Sequence, residues 1–445
     1  MRNLLRSRRG SAAFATAIAL VPLIGVVALG AEAGSWYVTH KHAQNAADSA
    51  AFSGALRLSC TMAGAACDIQ SVDYRGKEFA AQNGFCNSSP KDSTPYPDNQ
   101  CPPSLPTRVS RAVQIDIGTY NAGTFTTPPT GTGNAVRARV SQQQPAYLSA
   151  VLGFMTINIP AQAIALVQQP TKACVLALGP DSGALKLAGS LSNNGTGCAL
   201  MSDTSVQLAS TPTFTGSGWA VYGVNGCTPS GSCSNVSVPH NYFMTYASNP
   251  LSKLDTASFN SRTGNTSMPC TLQADGWKHC APNSAGTGAY GSFTVQNGDK
   301  YVLDPGTYFF YKANIKMTGG ELKGAGVTLV LLGDSQLTIN GGKVDLSAPA
   351  TNTFSSDLNG VLIDDQAPTK TSNKVTINGG GQVSLGGALY FPKVDVSWAG
   401  TTASANTTCA QVIAKTLDMS GGAYLSTEGC APSTIVYTQM VALVQ

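Results

Sequence analysis

The chain has 445 residues, of which only 11% are charged, and it carries 47 glycines and 24 prolines. An ordinary soluble domain is roughly 25% charged, so a cytosolic helical protein with Glu, Lys and Arg on its exposed faces is excluded, while 42% hydrophobic residues exclude wholesale disorder. The net charge of +4 is matched by Arg2, Arg6, Arg8 and Arg9 alone, so the rest of the chain is neutral and lacks the basic surface that nucleic-acid binding needs.

Those arginines precede an apolar run, Ser11 to Ala31, that holds no ionisable group. Phe14, Ile18, Leu20, Pro22, Leu23, Ile24, Val26, Val27 and Leu29 give it the character of a membrane span. About 20 residues at ~1.5 Å each cover a ~30 Å hydrocarbon core. Pro22 is tolerated in such a helix, and Trp36 and Tyr37 follow at interfacial depth. The arginines are expected to stay inside and residues after about Glu32 to emerge outside. That makes a single-pass inner-membrane anchor of the bacterial envelope, with the body in the periplasm or beyond. The rival is a cleaved signal peptide, since Ala31-Glu32-Ala33 fits a small-x-small cleavage site and would release a secreted body. Both readings export the body.

From Gly34 to Leu58 the pattern stays helical and rich in small residues. Arg9-Gly10, the apolar helix and then Gln44-Asn-Ala-Ala47-Asp48-Ser-Ala-Ala51 resemble the N-terminal module of TadE/TadG-like proteins, which are associated with the Flp-type, tight-adherence pilus machinery. The resemblance implies a cell-envelope component of pilus assembly, with other pilus or envelope proteins as partners. It also implies roles for Gly10, Glu32, Gln44, Ala47, Asp48 and Ala51. Glu32 stands where the family usually has Asp near the outer end of the helix. The fifth position after Gly10, where processed pseudopilins carry Glu, is Ala15, so prepilin-peptidase cleavage is not expected. Asp48 is either a solvent-facing helix residue or one that acts in assembly.

Residues 59–172 read as a mixed segment. Ser71 to Asn83 makes one amphipathic helix, and 87–106 is a Pro/Ser loop closed by Cys86 and Cys101. Ala112–Ile117, Val136–Val140 and Ile157–Val167 alternate as strands, with a short helix at Ala146–Phe154. The family resemblance implies a pilin-like α+β headpiece with this order of elements.

Beyond Ala173 the chain repeats. Leu337-x-Ile339-Asn-Gly-Gly-Lys-Val344-x-Leu346 recurs as Val375-x-Ile377-Asn-Gly-Gly-Gly-Gln-Val383-x-Leu385, with looser copies at Ile315–Leu322 and Leu417–Leu425. Each copy is two alternating strands joined by a Gly-Gly corner. One unit cannot bury its apolar side alone, whereas stacked coils can. A right-handed parallel β-helix is the expected fold, with a stack of hairpins as the alternative. Val327–Leu332 and Gly387–Phe391 supply further strands, and Ala173–Leu178 with Leu185–Leu191 reads as an earlier turn. Asp304-Pro-Gly-Thr-Tyr308 and Gly387-Ala-Leu-Tyr-Phe-Pro392 resemble the extension of TadG-related proteins. The fold class is mainly β: an anchor and helical motif at 1–58, a headpiece at 59–172 and a β-helix at 173–445.

The twelve cysteines are Cys60, Cys67, Cys86, Cys101, Cys174, Cys198, Cys227, Cys233, Cys270, Cys280, Cys409 and Cys430. All follow the apolar run and none forms Cys-x-x-Cys, which fits disulfides in an exported chain and not a redox dithiol or zinc ribbon. Cys227–Cys233, Cys270–Cys280 and Cys409–Cys430 are the expected local bridges, though spacing alone leaves connectivity open.

β-Helices also host polysaccharide lyases and hydrolases, for which Asp364-Asp365 is the one carboxylate pair to weigh. Adjacent strand residues point to opposite faces, and the Gly-His-Gly and Arg-Ile-Lys motifs of polygalacturonase-type sites are missing, so a solvated turn is expected instead. His40, His42, His240 and His279 form no zinc motif, and Gly286-x-Gly288-x-x-Gly291 is a chance match in a Ser/Gly loop. The Asp-x-Ser-x-Ser metal motif of some TadG relatives does not occur. The sequence thus points to binding and scaffolding, with no catalytic residue, metal or cofactor and with a surface glycan as a further candidate partner. A carbohydrate-active enzyme or a pilus-independent adhesin is the competing reading.

Overall fold

A computed structural model describes residues 8–63, 67, 69–86, 105–128, 131–148, 150, 153, 155–169, 171–193, 198–242, 244–366, 374–379, 381–400 and 409–444. They divide into two compact units, one drawn from 1–59, 67–168 and 441–445, the other from 60–66 and 169–440. The protein is mainly β, with one N-terminal apolar helix and a β-solenoid of about 10 turns over residues 173–419. Residues 87–104 of the loop expected to be closed by Cys86 and Cys101, and four of the nine residues expected as a helix at Ala146–Phe154, lie outside the described residues.

Helix α1 runs from Arg8 to Ala63, belongs to the first unit as far as Ser59, and accommodates Pro22. Helix α2, Val72–Gln82, begins where Ser71 Oγ accepts the Tyr74 N–H at 3.0 Å and ends at Asn83. An antiparallel sheet follows. Strand β1 (Ser110–Asn121) turns into the short β2 (Thr124–Thr126), then β3 (Ala135–Pro145) pairs with β1 and with β4 (Thr156–Gln168). Each strand predicted from alternation lies inside one of these. Gly76 lets α2 lie close on the sheet, since a methyl group there would fall 2.8 Å from Ile115 Cδ1.

The second unit is the solenoid, and its ladders are parallel. Leu337 pairs with Val375, Ile339 with Ile377, Val344 with Val383 and Leu346 with Leu385. The repeats therefore stack as coils, which rules out the hairpin alternative. Inward residues Ile339, Val344, Ile377, Val383 and Leu385 join one buried core. Stacked Gly-Gly corners explain the glycine pattern: Gly342 has φ +83°, and a Cβ there would sit 2.5 Å from the Gly319 carbonyl oxygen.

The order of stacking departs from chain order. One ladder runs His240–Tyr242, Trp219–Gly223, Cys198–Ser202, Lys172–Ala177 and then Ala410–Met419. It continues through Gln382–Gly400, Val361–Asp365, Val327–Leu332, Gly306–Tyr311, Gly288–Tyr290 and Thr263–Thr266. The first coil thus stacks on the last, with Leu185 opposite Leu417 and Leu187 opposite Met419. Lys186 and Asp418 form an ion pair of 2.9 Å across this seam. Cys174–Cys198, a pair of neighbouring cysteines in sequence, staples the first coil to the next. Cys227–Cys233, Cys270–Cys280 and Cys409–Cys430 are bonded as their spacing suggested. Cys60, Cys67 and Cys86 are disulfide-bonded as well.

Such an order requires the chain to travel from one end of the stack to the other. Ten steps of ~4.8 Å make ~48 Å, within reach of the segment between Tyr242 and Thr263 at ~3.3 Å per residue. That segment is a strap along the outside of the ladder. Its Met244, Ala247, Leu251, Leu254 and Phe259 share a core with the outward residues Leu176, Met201, Phe309, Val330, Tyr390 and Ile413. Polar bonds fix it as well. Asp203 accepts the Ala247 N–H at 3.0 Å, and the Tyr390 hydroxyl donates to Asp255 at 2.8 Å.

Burial under the strap pushes the Asp203 carboxyl up to about 7, against the opposing pull of the Ala247 N–H. A folded-state pKa raised above the unfolded value stabilises fully below ~4, and that contribution is lost as pH rises through about 7. About 3 units correspond to at most ~4 kcal/mol. Asp203→Asn, which keeps an acceptor oxygen, should therefore flatten the fall in melting temperature between pH 4 and pH 8. Thermal unfolding of both proteins across that range measures it. Equal slopes would reject the assignment.

Candidate functional site

In its first half α1 is apolar and uncovered: an 18-residue window of the helix from Phe14 on has a mean hydropathy of 2.3 and none of it is buried, and Phe14, Ile18, Leu23, Val26 and Val27 are exposed. The second half is different. Ala43, Ala46, Ala47, Ala50, Ala51 and Ala55 are fully buried, and Gly54 brings the helix so near that a Cβ would lie 3.0 Å from Val136 Cγ1 of β3. The small residues of the motif are therefore a packing face against the sheet of the same unit. Side chains this short let a helix backbone approach a sheet closely.

The polar motif residues fasten that face. Gln44 donates to Asp48 Oδ1 at 2.8 Å and to the Gln162 carbonyl of β4 at 3.0 Å. Asp48 is half-buried and orients Gln44, so its observed part is to hold the helix–sheet joint. Thr39 donates to Gln144 Oε1 at 3.4 Å, and His40 Nδ1 lies 3.2 Å from the Pro160 carbonyl. Nearer the apolar half, Glu32 accepts the backbone N–H groups of Tyr147 at 2.7 Å and Leu148 at 3.2 Å. The sequence marked Glu32 as an acid near the helix end. Its partners, more than a hundred residues on, could not be read from local pattern. Gly10 lies in α1, outside the side chains that are described.

The expectation of a solvated turn at Asp364-Asp365 is corrected. Both residues lie in the buried strand Val361–Asp365, covered on its outer side by the strap. The strand geometry does hold: Asp364 aligns with Val330 of the outer row and Asp365 with Leu331 of the inner one, so they point to opposite sides. Gln366 Nε2 lies 2.8 Å from both Asp364 oxygens and 2.9 Å from the Leu254 carbonyl. Burial holds Asp364 well above the usual carboxylate range, with Gln366 pulling the other way and Asp365 and Asp255 adding to the rise.

Local pattern assigns His279 no role, whereas the structure sets it between two carboxylates. Nε2 is 3.1 Å from Asp275 and Nδ1 3.1 Å from Asp304, and these bonds raise its pKa. Among the described residues no cluster of three His, Cys, Asp or Glu side chains could hold a metal. Gly286–Gly291 runs into a solenoid strand with no helix after it, so it is no nucleotide loop.

The helix–sheet unit coincides with two family models. Residues 10–57 match the one described as Flp pilus-assembly TadE/G-like. Residues 53–165 match the Tad-like Flp pilus-assembly model. Together the two Flp pilus-assembly models cover residues 10–165. No curated protein and no solved structure matches the chain. The joint between α1 and β4 thus lies inside the Tad segment, and the second model ends within β4. These matches support a role in pilus assembly and imply interaction with other pilus or envelope components.

Proposed function

We propose that the protein is a membrane-anchored, exported component of Flp-type pilus assembly that acts by binding and scaffolding. The observation that carries this reading is the division of α1. One half of the helix is apolar and uncovered, and the other packs through its alanines on the Tad sheet. A helix built this way tethers a folded headpiece to a bilayer and leaves its uncovered half, with Gly25 and Gly30, open to partner helices. The arginines before Gly10 stay inside, and the headpiece and the disulfide-braced solenoid lie outside.

The solenoid in this reading is a spacer and binding surface, not an enzyme. Its carboxylate pair is split between the two sides of a buried strand, which favours structure over general acid–base chemistry. A reporter that is active only outside the cytoplasm, fused after Leu58, should be active in intact cells. Affinity capture of the full chain from envelopes should bring pilus machinery with it. An inactive reporter rejects export, a mature N-terminus at Gly34 rejects the anchor, and capture without pilus components rejects the assembly role.

A further inference from the structure

The bend after β3 carries apolar side chains that the fold leaves uncovered. Tyr147 is 79% exposed and Met155 67%. Residues 140–171 contain no Asp, Glu, Lys, Arg or His, so no ionisable side chain of the segment opposes contact with lipid. Its position along the helix is fixed, because the Tyr147 and Leu148 amides both bond Glu32. From Phe14 to Glu32 the helix rises ~27 Å, close to the ~30 Å thickness of a hydrocarbon core. Glu32 therefore marks the edge of the core, and Tyr147 sits at that edge. Helix residues on the same level, Trp36 and Tyr37, are of the interfacial aromatic kind. Lys41, whose ammonium lies over the Tyr37 ring, marks where charge begins again. Between helix and bend is a groove of about 440 Å³, lined by Ala28, Ala31, Ser35, Trp36, Pro145 and Leu148 among others.

We infer that this bend, through Tyr147, Leu148 and Met155, enters the interfacial layer of the bilayer beside α1 as a second membrane contact. The inference rests on the anchor proposed above. Its occupant is lipid: the exposed apolar surface continues that of the helix without a charged residue between them, save Glu32. That carboxylate is not left bare at the lipid edge, since two N–H donors satisfy it. The same bonds set the depth of the bend. Two contacts, one spanning and one interfacial, restrict the tilt and rotation of the headpiece about the helix axis, which a single helix leaves free.

The test uses the full chain in vesicles of phosphatidylethanolamine and phosphatidylglycerol. Photoreactive benzoylphenylalanine replaces one residue at a time: Tyr147, Met155, Val26 within the span, or Leu272, an exposed apolar residue of the solenoid. Lipid adducts at 147 and 155 should come within about threefold of those at 26 and exceed those at 272 about tenfold. Glu32→Ala should lower the adduct at 147 about threefold or more and leave that at 26 unchanged. Adducts at 26 but none at 147 and 155 overturn the second contact and leave the anchor standing. No adduct at 26 overturns the anchor and the inference together. Adducts at 147 to a second copy of the chain, in place of lipid, also overturn it.

Discussion

Ile377→Asp unfolds the coils around it, while Thr376→Asp, one residue away, leaves the solenoid close to its native stability. Ile377 is fully buried between Ile339 of one neighbouring coil and Trp398 of the other. Removing its side chain from water contributes about 2–3 kcal/mol, which the substitution forfeits. The carboxyl must then either ionise in an apolar interior or stay protonated far from its ordinary pKa, at a further cost of several kcal/mol. The core has no slack to relieve this, for the void lined by Ile339, Val344, Leu385 and their neighbours is only about 30 Å³. Thr376 lies on the outward row of the same strand, so a charge there reaches solvent. Since coils stabilise one another through nearest-neighbour contacts, the damage spreads to the strands on either side. Thermal melting and limited proteolysis of the two variants make the comparison. Equal melting temperatures would refute the inward assignment of Ile377.

The repeats were legible because alternation and a Gly-Gly corner are local properties, and Leu337, Ile339, Val375 and Ile377 carry both. The boundaries of α2 were legible for a similar reason: Ser71 and Asn83 are its caps. What the chain did not disclose locally was which coil meets which. Leu185-x-Leu187 presents the same apolar column as Leu417-x-Met419, and any two such coils can pair, so in-order stacking is the natural assumption. The selection is made at a distance, by the length and apolar face of the strap and by the Lys186–Asp418 pair. The strap also explains the misreading of Asp364. Two adjacent acids in a chain with few charges look solvated until a segment a hundred residues earlier covers them. Glu32 follows the same rule. Its chemical type and its place on the helix could be read, but its bond to the bend after β3 could not.

The stacking order has a consequence that a conventional solenoid cannot share. Leu417→Asp should strip hydrogen-exchange protection from Leu185–Leu187, 230 residues earlier in sequence, as strongly as from the strand around Val396. Leu417 is buried between Val396 on one side and Leu185 on the other, so a carboxylate there damages both neighbours directly. The loss is on the order of several kcal/mol, or at least about a thousandfold in exchange rate at those amides. Protection should recover with distance along the stack. It should be weaker but present at Val206–Leu208, one coil beyond Leu185, and nearly unchanged at Phe293–Val295, four coils beyond Val396 on the other side. Leu417→Ala is the milder companion, with a cost of about 2–5 kcal/mol, should the charged variant fail to accumulate. In a solenoid stacked in chain order Leu417 would lie at the far end from Leu185. The same substitution would then leave Leu185–Leu187 fully protected, and that result would overturn the seam between the first coil and the last.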